Sequence, residues 1–243
     1  MSLHHSAPKG FFIMDYNKNI KYLKSNDKLF YTGVVVMGIG VVLIALTLLF
    51  HIWFMPMQST ISLLLIAAGA GIAFIPRSMR SNSSDLDSAV AQITDKFAEK
   101  TAESTGLNGL LIKNIQPFET GAYTFDDIEF VRRAKGDRKV RTSVYTASAM
   151  LFTKTGIYIA QKKISLIEDK ITESNAEFLY EDIDKIFTWS DDIVLADGSK
   201  SKLSYIIINE NGKEAIRIPT ANGSAADKLC DDVMHMVKLS KNS

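Results

Sequence analysis

Two uncharged apolar stretches lie close together near the N-terminus of this chain. Residues 34–54 and 57–75 contain no Asp, Glu, Lys or Arg, and Pro56 lies between them. A helix of about 20 predominantly apolar residues spans the hydrocarbon core of a bilayer. We therefore predict a transmembrane hairpin over residues 31–76, with spans at about 33–54 and 57–75. The competing interpretation is a cleaved signal peptide. A signal peptide has a shorter apolar region than the first stretch, and a second span does not follow it at once.

The charges that flank the two stretches predict their orientation. Five lysines precede the first stretch, Arg77 and Arg80 follow the second, and residues 53–60 carry no charge. Segments rich in Lys and Arg stay on the cytoplasmic side of a membrane. We therefore expect the N-terminal segment, residues 1–30, and everything after residue 76 to be cytoplasmic, so that both termini face the same side.

Small residues in both stretches predict close packing of two helices. Gly38 in the first stretch and Ala67, Gly69 and Gly71 in the second lie at spacings that let helix backbones approach each other in lipid. These residues either pack the two spans of one hairpin against each other or form a contact between copies of the protein. Packing within the hairpin is favoured because each span already has a partner. The oligomeric state stays open. Neither stretch has an ionisable residue in its middle, which argues against a proton or ion pathway.

An amphipathic helix is predicted over residues 84–105, after the hairpin. Leu86, Val90, Ile93 and Phe97 recur at spacings of three and four, with charged residues between them. A Ser-Asp pair at 84–85 supplies an N-cap, and Thr-Gly at 105–106 supplies an end. The apolar stripe is expected to pack on the domain that follows. A coiled-coil stalk is the alternative, but the segment is short for one.

Residues 107–243 predict an antiparallel β-domain closed by a C-terminal helix. Short segments rich in β-branched and aromatic residues alternate with tight turns that contain Gly, Asn or Asp. Apolar residues at helical spacing then run from Ala226 to Leu239. The fold class is therefore a membrane-anchored α+β protein. The strands are predicted at 110–115, 122–133, 140–146, 149–153, 157–161, 178–179, 186–189, 193–195, 203–208 and 214–218.

Two phrases in this region resemble a known family. Residues 151–159 read LFTKTGIYI and residues 179–186 read LYEDIDKI, and a pair of hairpins and a terminal helix follow. This order is similar to the bacterial pleckstrin-homology-like (PH-like) domains that are attached to membrane helices, over about the last hundred residues. The resemblance implies a partly open β-barrel or sandwich capped by the helix. It also implies a binding or assembly module, rather than an enzyme, in the bacterial cytoplasmic (inner) membrane.

Candidates for catalysis or metal binding are few. The β-domain has one cysteine, Cys230, and one histidine, His235, whose offset of five places them on different faces of the predicted helix. No spacing matches a zinc cluster, a calcium loop or a phosphate-binding glycine loop. We therefore predict no catalytic residue, no metal and no cofactor.

One strongly basic run is the candidate contact site. It holds six bases and one acid and is predicted to form the tip of a β-hairpin. One interpretation is a contact with an anionic leaflet, to which each base would add about 1 kcal/mol of attraction. The simpler interpretation is a solvated turn. Nucleic acid is not expected, because no aromatic platform accompanies the bases. The candidate contacts with anionic lipid headgroups or a partner are Arg132, Arg133, Lys135, Arg138, Lys139 and Arg141.

Two functions from different classes follow from these features. The first is a non-enzymatic scaffold, anchored in the bilayer, that presents a cytoplasmic domain to a protein partner or to anionic lipid. The second is a small integral membrane effector, of the toxin-immunity or phage-exclusion type, that acts through its hairpin. Neither the partner nor the biological process is predicted.

Overall fold

The computed structural model describes residues 14–24, 28–50, 55–78, 82–113, 115–133, 139–195, 198 and 200–242. The chain divides into two compact units, one formed by Asn17–Ser83 and one that contains Ser84–Ser243. The predicted α+β class, the antiparallel pairing and the C-terminal helix are confirmed. The single 122–133 strand and the strand at 110–115 are wrong, as described below.

In the part of the chain that the structure describes, three helices precede residue 82, and the second and third contain most of the two apolar stretches. They are α1 (Tyr16–Lys24), α2 (Lys28–Phe50) and α3 (Met55–Ser78). Among the described residues, Leu29–Leu49 is the one helical segment long and apolar enough to cross a membrane; the apolar part of α3, Ser59–Ile75, is shorter. The two-span hairpin therefore stays a prediction.

Helices α2 and α3 pack with their backbones in close contact. A Cβ atom added at Gly33 would lie 2.6 Å from the carbonyl oxygen of Gly69, and one added at Gly69 would lie 2.5 Å from the Met37 nitrogen. A Cβ atom at Gly40 would lie 2.8 Å from the carbonyl oxygen of Ser62. Positions 33, 37 and 40 share one face of a helix because they are separated by four and three residues. Glycine is needed where these faces meet.

Of the four small residues predicted to pack, the structure places one in this contact. Gly69 faces α2, but a Cβ atom on Gly38 would have no neighbour within 4 Å. Ala67 is exposed, and the nearest atom to a Cβ on Gly71 is Cδ1 of Ile75, one turn along the same helix, at 3.7 Å. Small-residue spacing identifies several helix faces, and only the packed structure selects one of them.

The predicted amphipathic helix is two helices. They are α4 (Ser83–Thr94) and α5 (Phe97–Ser104), separated by Lys96 at φ 52° in the left-handed region. That conformation ends a helix. On the two sides of the break, α4 contacts the β-domain through Asp87, whereas α5 packs on it through two buried alanines.

Ten further elements complete the chain after a short 3-10 turn at Leu107–Gly109. They are β1 (Phe118–Tyr123), β2 (Val131–Arg133), β3 (Val140–Thr142), β4 (Val144–Phe152), β5 (Gly156–Ser165), β6 (Ile171–Leu179), β7 (Ile183–Val194), β8 (Lys200–Glu210), β9 (Lys213–Thr220) and α6 (Gly223–Lys241).

The strands form two sheets and a separate ribbon, all antiparallel. One sheet has four strands in the order β1-β4-β5-β6, the second has three in the order β7-β8-β9, and β2 pairs with β3. The Thr120 hydroxyl donates to the Thr220 hydroxyl at 2.7 Å, which joins β1 to β9 at a corner between the sheets. In the chain, the ribbon is inserted between β1 and β4, which are adjacent strands of the four-stranded sheet.

The core lies between the sheets and is closed by α6. Both sheets contribute fully buried side chains, among them Met150, Ile159 and Ile206, and α6 adds Val233. The side chain of Asn222 caps α6 by accepting a hydrogen bond from the Ala225 nitrogen. On the outer face of the four-stranded sheet, α5 packs its two buried alanines against β4.

Several strand boundaries differ from the prediction. The described residues of the predicted 110–115 strand, 110–113 and 115, are not in a strand; Leu111 makes an isolated bridge to Thr153. The predicted 122–133 strand is split into β1 and β2 by the turn at Asp126 and Asp127, where Asp127 has φ 55°. Strands β6 and β7 are longer than predicted. The prediction followed apolar residues, and polar residues occupy much of both strands.

Candidate functional site

The two ends of the basic run lie on the paired strands β2 and β3, while the predicted hairpin tip, residues 134–138, lies outside the described residues. Arg132 pairs with Arg141 and Arg133 with Val140 across β2 and β3. Two of the six candidate bases, Lys135 and Arg138, lie outside the described residues. The other four are distributed between the surface and the interior.

The two strands of the ribbon place their bases differently. Arg133 is exposed, and its Nη2 donates to the carbonyl oxygen of Lys200 on β8 at 2.7 Å. Lys139 is exposed and Arg132 is half-buried. Arg141, in contrast, is only 3% exposed. Its burial removes Arg141 from the predicted set of surface contacts, because a base beneath the surface does not meet a lipid headgroup without a rearrangement.

Arg141 is held by a carboxylate from α4. Its Nε donates to Oδ1 of Asp87 at 3.0 Å, and its Nη2 donates to Oδ2 at 2.8 Å. The hydroxyl of Tyr123 on β1 also donates to Oδ1 of Asp87, at 2.7 Å. Paired bonds between a guanidinium and a carboxylate are short, strong and geometrically specific. Asp87 thereby joins α4 to both β1 and β3.

The electrostatics of this triad follow from its burial and its charges. Partial burial alone would raise the pKa of Asp87, but hydrogen bonds from Arg141 and Tyr123 and the charges of Arg141 and Lys139 outweigh burial and lower it. The pKa of Tyr123 is raised by burial and by its bond to the Asp87 carboxylate. At neutral pH the pair is therefore a carboxylate and a guanidinium, with a protonated tyrosine.

A cleft of about 500 Å³ lies beside the triad. Its walls come from α4, β1, β3, the first half of β8, and single residues of β4 and β9. This volume is within the range of about 300–1,000 Å³ typical of small-ligand sites. The lining combines apolar, hydroxyl and charged side chains, among them Asp87, Val90, Tyr123, Lys139, Tyr145 and Lys202.

The shape of the cleft depends on a glycine in β1. A Cβ atom on Gly121 would lie 2.7 Å from both the carbonyl oxygen of Thr146 and the hydroxyl oxygen of Tyr145. The Tyr145 ring therefore lies against β1 because position 121 has no side chain. Tyr123 is opposite Tyr145 in the ladder, and their rings meet edge to face with centroids 5.2 Å apart.

The charges around the cleft favour an anionic ligand. Asp87 is paired with Arg141, and the other charged side chains that line the cleft are those of Lys139 and Lys202. Lysines bind phosphate and carboxylate groups as compact point charges. The cleft thus offers an anion two lysines together with hydroxyl groups and apolar surface.

Sequence reasoning missed Asp87, Tyr123, Tyr145 and Lys202 as members of this site. Asp87 lies on the polar side of the amphipathic pattern, where a solvated charge is the ordinary interpretation. The surplus of bases in the basic run could have indicated it. If one of those bases is buried, it needs a carboxylate partner from elsewhere in the chain.

The remaining reactive groups in the described part of the chain are Cys230 and the acidic and histidine side chains. Cys230 lies in the core, where burial and the nearby Asp227 and Asp231 raise the pKa of its thiol to about 12. Within the ranges that the structure describes, no group of three or more His, Cys, Asp or Glu side chains is arranged to hold a metal ion.

Comparisons with protein-family models, with curated proteins and with solved structures find no match. The cleft and the ribbon are therefore interpreted from their own geometry and charge.

Proposed function

We propose that this chain is a non-enzymatic binding module, held at the cytoplasmic face of a bacterial inner membrane by α2 and α3. Its binding site for an anionic lipid, or for an acidic group of a protein partner, is the cleft together with the basic ribbon at its edge. The observation that carries this proposal is that Lys139, which belongs to the basic run and directly precedes β3 of the ribbon, lies in the wall of a ligand-sized cleft.

The exposed apolar surface of α2 and α3 supports the membrane anchor. Leu48, Leu49, Leu63 and Leu64 are all more than half exposed. A water-soluble protein rarely leaves so continuous an apolar surface uncovered, whereas lipid favours it. The uncharged segment between the helices and the bases on their flanks support the cytoplasmic orientation.

The order of the strands supports the PH-like resemblance. A four-stranded antiparallel sheet is followed by a three-stranded sheet and then by a helix that closes the core. The resemblance carried by the phrases at 151–159 and 179–186 implies a partly open barrel or sandwich capped by a helix, and two antiparallel sheets closed by α6 are compatible with it. In this scheme the β2-β3 ribbon is an insertion, and it brings most of the local positive charge.

The alternative function, an effector that acts through its membrane helices, has one observation in its favour. Gly38 and Ala67 are not used in the contact between α2 and α3, and both are exposed. Small residues on an outer helix face allow a further helix to pack closely in lipid.

Exchange of the helices separates the two functions. In one variant of the full chain, residues 29–75 are replaced by an unrelated two-helix hairpin of the same length and orientation. The binding module predicts that the variant still associates with its partner or lipid to the wild-type extent. Loss of association with normal membrane insertion would favour the effector.

Neutralising the ribbon tests the lipid ligand. Arg132, Arg133 and Lys139 are changed together to glutamine, and the full chain in neutral-lipid nanodiscs is titrated with vesicles that contain phosphatidylglycerol. We expect binding to fall by at least about tenfold, because each base near the surface contributes about 1 kcal/mol. A matched variant in which Lys154, Lys213 and Lys228 become glutamine removes the same charge from exposed positions elsewhere. Equal losses in both variants would refute the ribbon as the site.

A further inference from the structure

Asp87 holds the guanidinium of Arg141 in the way that a ligand anion would. The carboxylate lines the cleft, while Arg141 lies behind it and is almost completely buried. Both carboxylate oxygens accept hydrogen bonds from Arg141, at 3.0 and 2.8 Å. A phosphate or carboxylate on a ligand can accept the same two bonds.

The carboxylate that makes these bonds is more accessible than its partner. The side chain of Asp87 is 35% exposed, compared with 3% for Arg141. Asp87 also lies on a helix of only 12 residues, which Lys96 ends in a left-handed conformation. In the sequence, that helix follows α3, the second apolar helix, after a few residues.

We propose that Asp87 is a built-in competitor for the anionic group that the cleft binds. An entering phosphate is first attracted by Lys139 and Lys202, then takes the place of Asp87 on Arg141, and so loosens α4 from β1 and β3. This inference rests on the proposed function, since it assumes that the cleft binds an anion.

The exchange is balanced because Arg141 keeps an anionic partner throughout. Removing one member of a buried ion pair is costly when the other is left unpaired, but here one anion replaces another. The displaced Asp87 is already partly in contact with water, so its hydration is readily completed. Binding of the anion and the Asp87 bonds that help to attach α4 are therefore mutually exclusive, which couples the cleft to a helix that follows the apolar helices in the sequence.

The affinity of defined anions for the full chain tests this competition. The protein is placed in phosphatidylcholine nanodiscs and titrated with glycerol 3-phosphate, and in a second arm with vesicles that contain phosphatidylglycerol. The two arms distinguish a soluble phosphate from a lipid headgroup. Asp87→Asn removes the competing charge, and Asp95→Asn removes the same charge from an exposed position just beyond α4.

The competition predicts that Asp87→Asn binds at least one of the two probes about tenfold more tightly than wild type. In the wild type, Asp87 occupies Arg141 and so reduces the apparent affinity for the probe, whereas in the variant it does not. Asp95→Asn should increase the affinity much less. An unchanged or weaker affinity for Asp87→Asn would overturn the proposal. If Asp87→Asn does not fold, Tyr123→Phe replaces it: losing one hydrogen bond to Asp87 should still strengthen binding, and weaker or equal binding would overturn the proposal.

Movement of α4 provides a second readout. Spin labels are attached to Ser88→Cys on α4 and Ser174→Cys on β6, both exposed positions, while the buried Cys230 is replaced by serine. Adding the probe should broaden the distance distribution of the wild-type protein, and Asp87→Asn should be broad before addition. A distribution that stays narrow while the probe binds would overturn the competition alone. If no variant binds either probe, the proposed anion-binding function fails as well.

Discussion

Replacing Gly69 with alanine should push α2 and α3 apart. The new Cβ atom would lie 2.5 Å from the Met37 nitrogen and 2.7 Å from the carbonyl oxygen of Gly33, both backbone atoms that cannot rotate away. Ordinary carbon contacts lie at about 3.5–4.0 Å, so the helices must separate by about 1 Å. A gap of that size removes about a quarter to a half of the dispersion energy along the contact.

The net effect combines this loss with a gain in helix propensity. Overpacking typically costs about 1–3 kcal/mol, and replacing glycine by alanine in a helix gains up to about 1 kcal/mol. Gly71→Ala is the matched control, because its Cβ atom meets only Ile75 of the same helix, at an ordinary distance of 3.7 Å. We therefore expect Gly69→Ala to be less stable than Gly71→Ala by about 2 kcal/mol.

Energy transfer between dyes at the paired ends of the two helices measures this difference. The dyes are attached to Tyr31→Cys and Ile75→Cys in full-length protein that carries Cys230→Ser, and the helices are separated by SDS in mixed micelles. The midpoint for Gly69→Ala should fall at a lower SDS fraction than the midpoint for Gly71→Ala. Equal midpoints for the two variants would refute the close backbone contact.

Three further predictions concern the β-domain. The pKa of Asp87 is lower in the folded chain than its usual 3.8. The stabilisation that the Asp87 carboxylate provides is therefore present at neutral pH and is lost as the pH falls below 3.8. Acid unfolding, followed by circular dichroism, should depend less steeply on pH for Asp87→Asn than for wild type. Cys230 should react with maleimide only after denaturation, because its thiol is buried and its pKa is raised to about 12; rapid labelling of the native protein, read by mass spectrometry, would contradict this. Gly156→Ala should destabilise the domain by about 2 kcal/mol or more in urea unfolding, because its Cβ atom would overlap the carbonyl oxygen of Phe178 on β6; wild-type stability would show that the two strands are farther apart.

Local patterns predicted those elements whose apolar residues repeat regularly. Helix α6 has Leu229, Val233 and Val237 at four-residue intervals on its buried face. The turn before Gly156 is correct as well, since the Thr153 hydroxyl accepts a hydrogen bond from the Gly156 nitrogen and donates one to its carbonyl oxygen. In both places the signal and its cause lie within a few residues.

Strands that have few buried side chains were predicted poorly. Most of β6 is exposed, and its first seven residues include Thr172, Glu173, Ser174 and Asn175, which have the composition of a loop. The backbone pairing with β5 forms this strand in spite of its side chains. Strand propensity depends on such neighbours, which a single sequence does not reveal.

The candidate site was predicted only in part, because its partners come from distant segments. The ribbon at residues 132–141 was located by its charge, but the burial of Arg141 depends on Asp87, 54 residues earlier in the chain. A run of bases does not show which member is turned inward. The same reasoning applies to Lys202, which enters the cleft from β8.

Cysteine accessibility tests the central claim, a membrane-anchored module with its β-domain in the cytoplasm, most directly. Single cysteines replace Gln58, at the start of the second apolar stretch, and Glu177, on the exposed edge of β6, in full-length protein that carries Cys230→Ser. Spheroplasts that express each variant are treated with a membrane-impermeant maleimide before and after lysis. The account predicts labelling of Gln58→Cys before lysis and of Glu177→Cys only after it. Labelling of Glu177→Cys in intact spheroplasts, or protection of Gln58→Cys until lysis, would contradict the account.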